Sequence, residues 1–286
     1  MNRKKRFTAA VFALFLLFLL FSRGTAAAAN KALSLVLARV LPSLLPFMVL
    51  SGILLRLDRA GERNGKGSRR AVFFGFLCGV PVGASLLADL EDGEKERVLP
   101  LASLLSPSFC VSFLGDAYGS PLVGALLFLS SLLAALLAHR LLHKKRTARK
   151  SSPKKENAGP LSLPALLTGA VGSAASSAGT VAVCVVFFSC LSSALGALAE
   201  RVGAPARILP LLSGLLEVSS GCASALALPR PVSLPLCAFF VGFGGLSAAF
   251  QSLSAAKTDK LLPYLLEKLL TGALSLLFFL FFSLFQ

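Results

Sequence analysis

The sequence contains few charged residues and none of the residue patterns that mark common catalytic sites. Charged residues make up 15% of the 286 positions, whereas a soluble domain has about 25%, so an ordinary water-soluble protein is excluded. The chain has no HExxH, P-loop or GxSxG pattern, and no histidine inside an apolar segment to act as a catalytic base. We therefore expect a protein that is not an enzyme and has no cofactor.

The sequence also lacks a pattern of metal ligands. No two of the six cysteines form a CxxC pair, and all six lie within apolar stretches, which is typical of small side chains packed between helices. The only two histidines, His139 and His143, close an apolar segment just before a basic stretch. We interpret them as boundary residues, and we expect no metal site.

Apolar residues dominate the composition. They account for 55% of the chain and form runs of about 20 residues, each long enough to cross roughly 30 Å of hydrocarbon as a helix. The runs are continuous and do not alternate, so helices are predicted rather than the strands of a barrel. The sequence thus predicts an all-α polytopic membrane helix bundle with about seven to eight apolar segments.

The basic residues are concentrated between these segments. Of 29 Lys and Arg residues, 16 lie at positions 3–6, 58–70 and 143–160, which predicts that these three stretches are cytoplasmic parts of a multi-pass protein of the cell membrane. No aromatic residues are interleaved with the charges to stack on bases, so nucleic acid is not expected as a partner. Membrane lipid is the expected partner of the basic stretches.

The basic stretch 143–160 predicts a linker between two halves of similar length, 31–142 and 161–286. Residues 1–30 are either an N-terminal membrane helix or a signal-like segment, and both alternatives place Asn30 outside the cytoplasm. Pro42 and Pro46 predict a kink or break in the second segment. The stretch 161–199 is too long for a single span.

The apolar stretch 71–90 has a composition that disfavours a straight helix, because Gly75, Gly79, Pro81 and Gly83 lie in its middle. Three apolar pieces separate the two basic stretches 58–70 and 143–160. If both stretches are cytoplasmic, the number of crossings between them must be even. We therefore predict that 71–90 is a re-entrant hairpin or a broken helix.

The second half contains similar interrupted stretches. The sequence GFLCGVPVGASLLADL (75–90) resembles GFGGLSAAFQSLSA (242–255), and LPLASLLSPS (99–108) resembles LPLLSGLLEVSS (209–220). Paired interruptions of this kind, in an inverted repeat, indicate a substrate site near the middle of the membrane in secondary transporters.

One acidic residue lies deep within an apolar segment. Glu217 is the only charged residue between Arg207 and Arg230, and an ionisable group at such a position is a candidate functional residue. The alternative is that Glu217 caps a half-helix or bonds the neighbouring Ser219 and Ser220. The candidate substrate-binding residues are Glu217, Gln251, Ser106, Ser108, Gly79, Pro81, Gly83, Gly244 and Gly245.

Seven stretches, in order along the chain, resemble a known family. PSLLPFMVLSGILLRL (42–57), GFLCGVPVGASLLADL (75–90), EDGEKER (91–97) and LLSPSFCVSFLG (104–115) resemble the first half of the YlbJ-type sporulation integral membrane proteins. LLSGLLEVSSG (211–221), GFGGLSAAFQSLSA (242–255) and YLLEKLLTGAL (264–274) resemble the second half. The resemblance implies Gate or nucleoside-recognition halves, similar to parts of concentrative nucleoside transporters, and a role in endospore formation.

These observations favour a small-solute permease, for a nucleoside-like solute or an ion, that acts in spore formation. Glu217 and Gln251 would be its polar anchors, and the glycines of 79–83 and 242–245 would allow the backbone to approach the solute closely. The alternative is a membrane scaffold that transports nothing and is required for assembly of the spore envelope, including the cortex. Both alternatives are compatible with a homo-oligomer.

Overall fold

A computed structural model describes residues 3–60, 67–88, 90–143, 162–205 and 208–284. These residues form thirteen α-helices and two π-helical segments, with no strand among them. The α-helices are α1 Arg3–Leu20, α2 Ser22–Leu35, α3 Leu41–Ala60, α4 Gly67–Cys78, α5 Val82–Ser85, α6 Asp92–Ala102, α7 Pro121–Leu142, α8 Leu163–Arg201, α9 Ile208–Leu216, α10 Val218–Ala225, α11 Arg230–Phe243, α12 Gly245–Ala256 and α13 Leu261–Ser283. The π-helical segments are Val36–Val40 and Phe109–Gly115.

Five helical stretches in the described part of the chain are long and apolar enough to cross a membrane. The prediction of a polytopic membrane helix bundle is therefore confirmed. Most of the predicted cytoplasmic stretches 58–70 and 143–160 lies outside the described residues. The five stretches are Ser22–Leu54, Pro121–Leu142, Leu163–Arg201, Arg230–Ala256 and Leu261–Ser283.

The prolines of the second segment do not break it. Helix α2, the π-helical segment Val36–Val40 and α3 follow one another without a gap, in runs of 14, 5 and 20 residues. The wider π turn lies just before Pro42, where proline lacks the N–H that an α-helix would use. The first helical boundary lies at a bend at Phe21, with φ −111°. It does not lie at Asn30, which is inside α2.

Helix α8, which covers most of the stretch 161–199 that the sequence predicts to be too long for one span, is a single helix of 39 residues. At 1.5 Å per residue it is about 58 Å long, well beyond the thickness of the hydrocarbon. It runs antiparallel to α2 and α3. Ser193 near its end donates to the Gly24 carbonyl, and Arg56 donates to the Gly169 carbonyl near its start at 2.7 Å.

Helices α4 and α5 form a hairpin within the stretch 71–90, for which the sequence predicts a re-entrant hairpin or a broken helix. A Cβ on Gly83 would lie 2.5 Å from Gly75 Cα and 2.9 Å from the Ala71 oxygen, so α5 runs back along α4. Gly79 lies in the turn with a φ of +73°, a backbone conformation that glycine adopts without strain.

Helices α9 and α10 form a second hairpin, with Glu217 at its turn. Gly221 of α10 packs against the backbone of Gly214 in α9 so closely that a Cβ would overlap it. For the stretch 208–228 the sequence suggests an interruption at 209–220, with Glu217 as the cap of a half-helix as one alternative. The close glycine contact shows that the chain reverses direction there.

The two hairpins begin at opposite ends of the bundle. We call the end where α7 stops the linker end and the other the far end. His143 contacts Glu267 at 2.9 Å, so α13 begins at the linker end. Helices α11 and α12 run antiparallel to α13, because Gly242 packs against Gly272 and Tyr264 bonds Ser252.

Hairpin α4–α5 connects to the linker end. It leads into α6, which begins beside the end of α12, where Asp92 and Lys257 line a shared groove. Hairpin α9–α10 connects to the far end, because Leu209 packs near Gly196 in the last turns of α8. It leads into α11, where Arg230 donates to the Tyr118 carbonyl just before α7 begins.

The same series of elements therefore occurs twice, in opposite orientations. Each repeat has a 39-residue helical stretch, a hairpin, an interrupted crossing and an uninterrupted helix. Corresponding elements start at 22 and 163, 67 and 208, 92 and 230, and 121 and 261, which are offsets of 141, 141, 138 and 140 residues. This order pairs the Gly79 turn with the Glu217 turn. The two pairings that the sequence suggests, 75–90 with 242–255 and 99–108 with 209–220, are therefore both wrong.

Apolar packing joins the two repeats. The main buried cluster includes Val36, Phe113 and Leu127 of the first repeat and Phe240 and Val241 of the second. A second cluster holds hairpin α4–α5 against α12, through Ala84, Leu87, Ala249 and Leu253 among others. The hairpin of one repeat is thus fixed by the interrupted crossing of the other.

Substitution of Gly221 by alanine is expected to destabilise the protein, because the new Cβ would overlap the Gly214 backbone. Overpacking of this kind costs about 1–3 kcal/mol. Thermal unfolding of the purified protein in detergent measures the effect. Gly172→Ala is the matched control, because nothing lies within 4 Å of its Cβ position. Equal unfolding midpoints for the two variants would show that the hairpin is not closely packed.

Cysteines introduced at Gly93 and Ala227, both exposed, are expected to be labelled from opposite sides of the membrane. Gly93 lies at the linker end and Ala227 at the far end. A membrane-impermeant maleimide should label one variant in intact cells and the other only after permeabilisation, with the parental chain as the background for the native cysteines. Labelling of both from the same side would contradict the inverted arrangement.

Candidate functional site

The first interrupted crossing lies against the turn of the first hairpin. Helix α6 ends at Ala102, and helical structure resumes after Ser106. Val80 N donates to the Leu104 carbonyl at 3.1 Å. A Cβ on Gly79 would lie 2.7 Å from Ser106 N, so only glycine allows the two backbone segments to come this close.

Ser106 and Ser108 stabilise the start of the helix that follows this interruption. The Ser106 hydroxyl accepts from Phe109 N at 3.1 Å and bonds the Ser108 hydroxyl at 2.9 Å. Both side chains are buried. Their hydroxyls therefore satisfy a free backbone donor, as an N-cap does.

The second interrupted crossing lies against the turn of the second hairpin. Gly244 and Gly245 separate α11 from α12, with φ of +85° and +80°. A Cβ on Gly245 would lie 3.2 Å from Val218 N and 3.3 Å from the Leu216 oxygen. The two repeats thus contain equivalent contacts between a hairpin turn and an interrupted helix.

Glu217 caps helix α10. Its carboxylate accepts from Ser219 N at 2.9 Å and from Ser220 N at 2.6 Å, and the side chain is buried. A carboxylate at this position satisfies two free N–H groups and interacts favourably with the positive end of the helix dipole. Of the two interpretations of Glu217, the structure therefore shows the capping one.

Lys268 connects the two interrupted crossings. It extends from α13, is 1% exposed, and its Nζ donates to the Ser103 carbonyl at 3.2 Å. Its Cε lies 3.7 Å from the Cβ position of Gly244. Ser103 is the C-cap residue of α6, and Gly244 is the C-cap residue of α11. The ammonium therefore lies at two helix C-termini, where a cation is favoured.

The Lys268 ammonium has more hydrogen-bonding capacity than the described residues use. It makes one hydrogen bond within them, and none of their ion pairs includes it, although an ammonium has three N–H donors. The hydroxyl of Ser103, the residue whose carbonyl accepts this bond, is also buried, and it interacts with the Tyr264 hydroxyl. Buried cations are normally paired, so these groups mark the strongest candidate binding position.

A polar face on α13 continues from Lys268 in both directions. Its members recur at helical spacing and are all buried: Tyr264, Lys268, Thr271 and Ser275. This face packs against α11, because a Cβ on Gly242 would lie 2.7 Å from Ser275 Cβ. The Ser275 hydroxyl has no partner among the described residues.

The other predicted site residues, Gln251, Pro81 and Gly83, make no hydrogen bond to Lys268 among the described residues. Gln251 is buried in α12 and donates to Ser247 at 3.2 Å; it is six residues beyond Gly245, roughly 9 Å along the helix. Pro81 and Gly83 belong to the α4–α5 hairpin, where Gly83 serves close packing. The interruptions thus bring Gly79 to Ser106 in the first repeat, and Gly245 with its neighbour Gly244 to Glu217 in the second.

The sequence interpretation missed Lys268 and the polar face of α13. The signal was present, because Tyr264, Lys268, Thr271 and Ser275 recur at intervals of four, three and four residues in an otherwise apolar segment.

No protein-family model, curated protein sequence or solved structure matches this chain. The function is therefore argued from this geometry.

Glu217→Ala is expected to lower the stability of the protein by about 1–2 kcal/mol, because it removes the cap of α10. Glu217→Gln should have a smaller effect, since the amide oxygen still accepts one of the two bonds. Thermal unfolding in detergent measures both. Glu200→Ala is the control, because Glu200 is an exposed carboxylate on α8. An unfolding midpoint for Glu217→Ala equal to that of the control would rule out the capping role.

Proposed function

We propose that this protein is a small-solute permease of the cell membrane whose binding site surrounds Lys268. The observation that carries the proposal is a buried ammonium with unused donors, at the C-terminal ends of two interrupted helices. In secondary transporters the substrate and coupling-ion sites lie at such interruptions, between two inverted repeats.

The repeat architecture supports a transport mechanism. Interrupted helices within a membrane are tolerated where protein or a water-filled cavity surrounds the free backbone groups. The two hairpins begin at opposite ends of the bundle, and each turn contacts the interruption of its own repeat. Movement of one hairpin opens the site to the linker end, and movement of the other opens it to the far end.

The chemistry of the site favours a solute with hydrogen-bond acceptors. The Lys268 ammonium and the hydroxyls of Ser103 and Ser275 provide hydrogen-bond donors for such a solute. Carbonyl oxygens of a nucleobase, or a small anion, match these donors. A nucleoside-like solute and a role in spore formation are also what the resemblance to YlbJ-type proteins implies.

The positive-inside rule gives the orientation in this proposal. The linker end, which carries the basic stretch 143–160, is cytoplasmic. Helix α13 begins at that end and runs toward the far end, so the C-terminus is outside. Hairpin α4–α5 then opens toward the cytoplasm and hairpin α9–α10 toward the exterior.

The scaffold alternative is favoured by a different observation. Glu217, Ser106 and Ser108 all bond groups of the protein itself. Part of the hydrogen-bonding capacity at the interruptions is therefore satisfied without a solute. In a scaffold, Lys268 would fasten α13 to α6 and would bind no solute. For a permease, loss of the Lys268 charge should reduce transport while the fold is maintained. A scaffold should show no transport with or without this charge.

Uptake into proteoliposomes tests the proposal, with a panel of radiolabelled nucleosides, nucleobases and small anions. Wild-type protein should take up at least one of them, and Lys268→Met should reduce this uptake at least tenfold, because methionine has a similar length but no donor. Lys260→Met, at an exposed lysine that precedes the same helix, should transport as wild type. Unfolding midpoints of both variants verify that the fold is maintained.

If wild-type protein transports none of these solutes, the permease proposal fails for these solute classes and the scaffold is favoured. A sporulating host then provides the second measurement. Normal sporulation with Lys268→Met at normal protein levels would show that the buried charge is dispensable. Wild-type uptake that Lys268→Met leaves unchanged would place the solute site elsewhere.

A further inference from the structure

Two histidines and a glutamate form a cluster at the linker end, separate from Lys268. His139 and His143 lie four residues apart and therefore on successive turns of one face of α7. Glu267 of α13 faces both of them. Its Oε2 lies 2.9 Å from His143 Nε2 and its Oε1 lies 3.7 Å from His139 Nδ1.

The geometry of the cluster is that of a set of metal ligands. One ligand atom from each of the three residues lies within 4.8 Å of the other two. The His139 Nδ1 atom is buried and has no hydrogen-bond partner among the described residues. Hydrogen bonding alone therefore accounts for Glu267 and His143, but leaves the nitrogen of His139 unused.

We propose that His139, His143 and Glu267 bind a divalent transition-metal ion of the Zn²⁺ class. Metal–ligand distances of about 2.0–2.1 Å in a tetrahedral site separate the ligand atoms by roughly 3.3 Å, against a separation of at most 4.8 Å among these three ligand atoms without the ion. Two imidazoles and one carboxylate select borderline metals such as Zn²⁺ or Cu²⁺, whereas Mg²⁺ and Ca²⁺ take oxygen ligands.

The exposure of the cluster fits reversible metal binding. The His139 and His143 side chains are 20% and 26% exposed, whereas that of Glu267 is 6% exposed. An ion can therefore approach from the histidine side, and a water molecule can complete the coordination. The carboxylate is already held in place by α13.

The proposed ion would join the last helices of the two repeats. His139 and His143 belong to α7, and Glu267 belongs to α13. A metal bridge between these helices would stabilise the linker end of the bundle whether or not the protein transports a solute. The metal proposal and the permease proposal can therefore fail independently.

The sequence offers a specific test, because its only two histidines are both in the cluster. The full-length protein is purified in detergent, its affinity tag is removed, and one equivalent of Cu²⁺ is added. Pulsed electron paramagnetic resonance counts the imidazoles coupled to the copper. Two are expected for wild type, and one for either His139→Gln or His143→Gln.

Zn²⁺ binding provides the second measurement. Isothermal titration should give about one ion per chain, with Zn²⁺ raising the unfolding midpoint of wild type. Glu267→Gln should weaken Zn²⁺ binding at least tenfold. Asp259→Asn, which removes an exposed carboxylate just before α13, should bind as wild type. Co²⁺ spectra without a strong thiolate charge-transfer band would exclude the six cysteines as the ligands.

Absence of imidazole coupling in wild-type protein, together with no Zn²⁺-induced change in its unfolding midpoint, would overturn the proposal. So would a thiolate band in the Co²⁺ spectrum, because it would assign the bound ion to cysteine. Unchanged Zn²⁺ affinity in Glu267→Gln would also overturn it, because the carboxylate is the residue that links the two helices. The unfolding midpoints of the metal-free variants show whether each is folded.

Discussion

Every backbone N–H and C=O group inside a membrane needs a partner from the protein itself, since lipid provides none. This requirement accounts for most of the features around the two hairpin turns and the two interrupted crossings. Ser106 and Glu217 provide acceptors for free N–H groups at helix starts. Lys268 provides a donor to a free carbonyl at a helix end. The glycines at the turns bring the remaining backbone segments close enough to bond or pack against each other.

Much of the architecture could be predicted from the sequence. Long apolar runs predict membrane helices, and the three glycines and one proline within 75–83 predict a hairpin or a broken helix. The capping role of Glu217 was one of two alternatives that the neighbouring serines suggested. The interruption at Gly244 and Gly245 followed from their composition. These predictions succeeded because each depends on a local pattern that has few alternatives in lipid.

Other features could not be predicted, because they depend on contacts between distant residues. The second hairpin has no proline at its turn: the extended backbone of Glu217 ends α9, and its carboxylate caps α10. The sequence shows that 161–199 is longer than one span, but not that α8 continues without interruption while it packs against α2 and α3. His139 appeared to be a boundary residue, because its partner Glu267 lies 128 positions later in the sequence.

Glu267 and Lys268 are consecutive residues of α13, so one helical turn directs an acid toward α7 and a base toward α6 and α11. Consecutive side chains on a helix are about 100° apart, and neither can be displaced much without moving the other. In the two proposals above, a ligand that displaces Lys268 would therefore also move the Glu267 carboxylate. By reciprocity, any ligand of Lys268 that changes the affinity of an ion at Glu267 has its own affinity changed by the same factor.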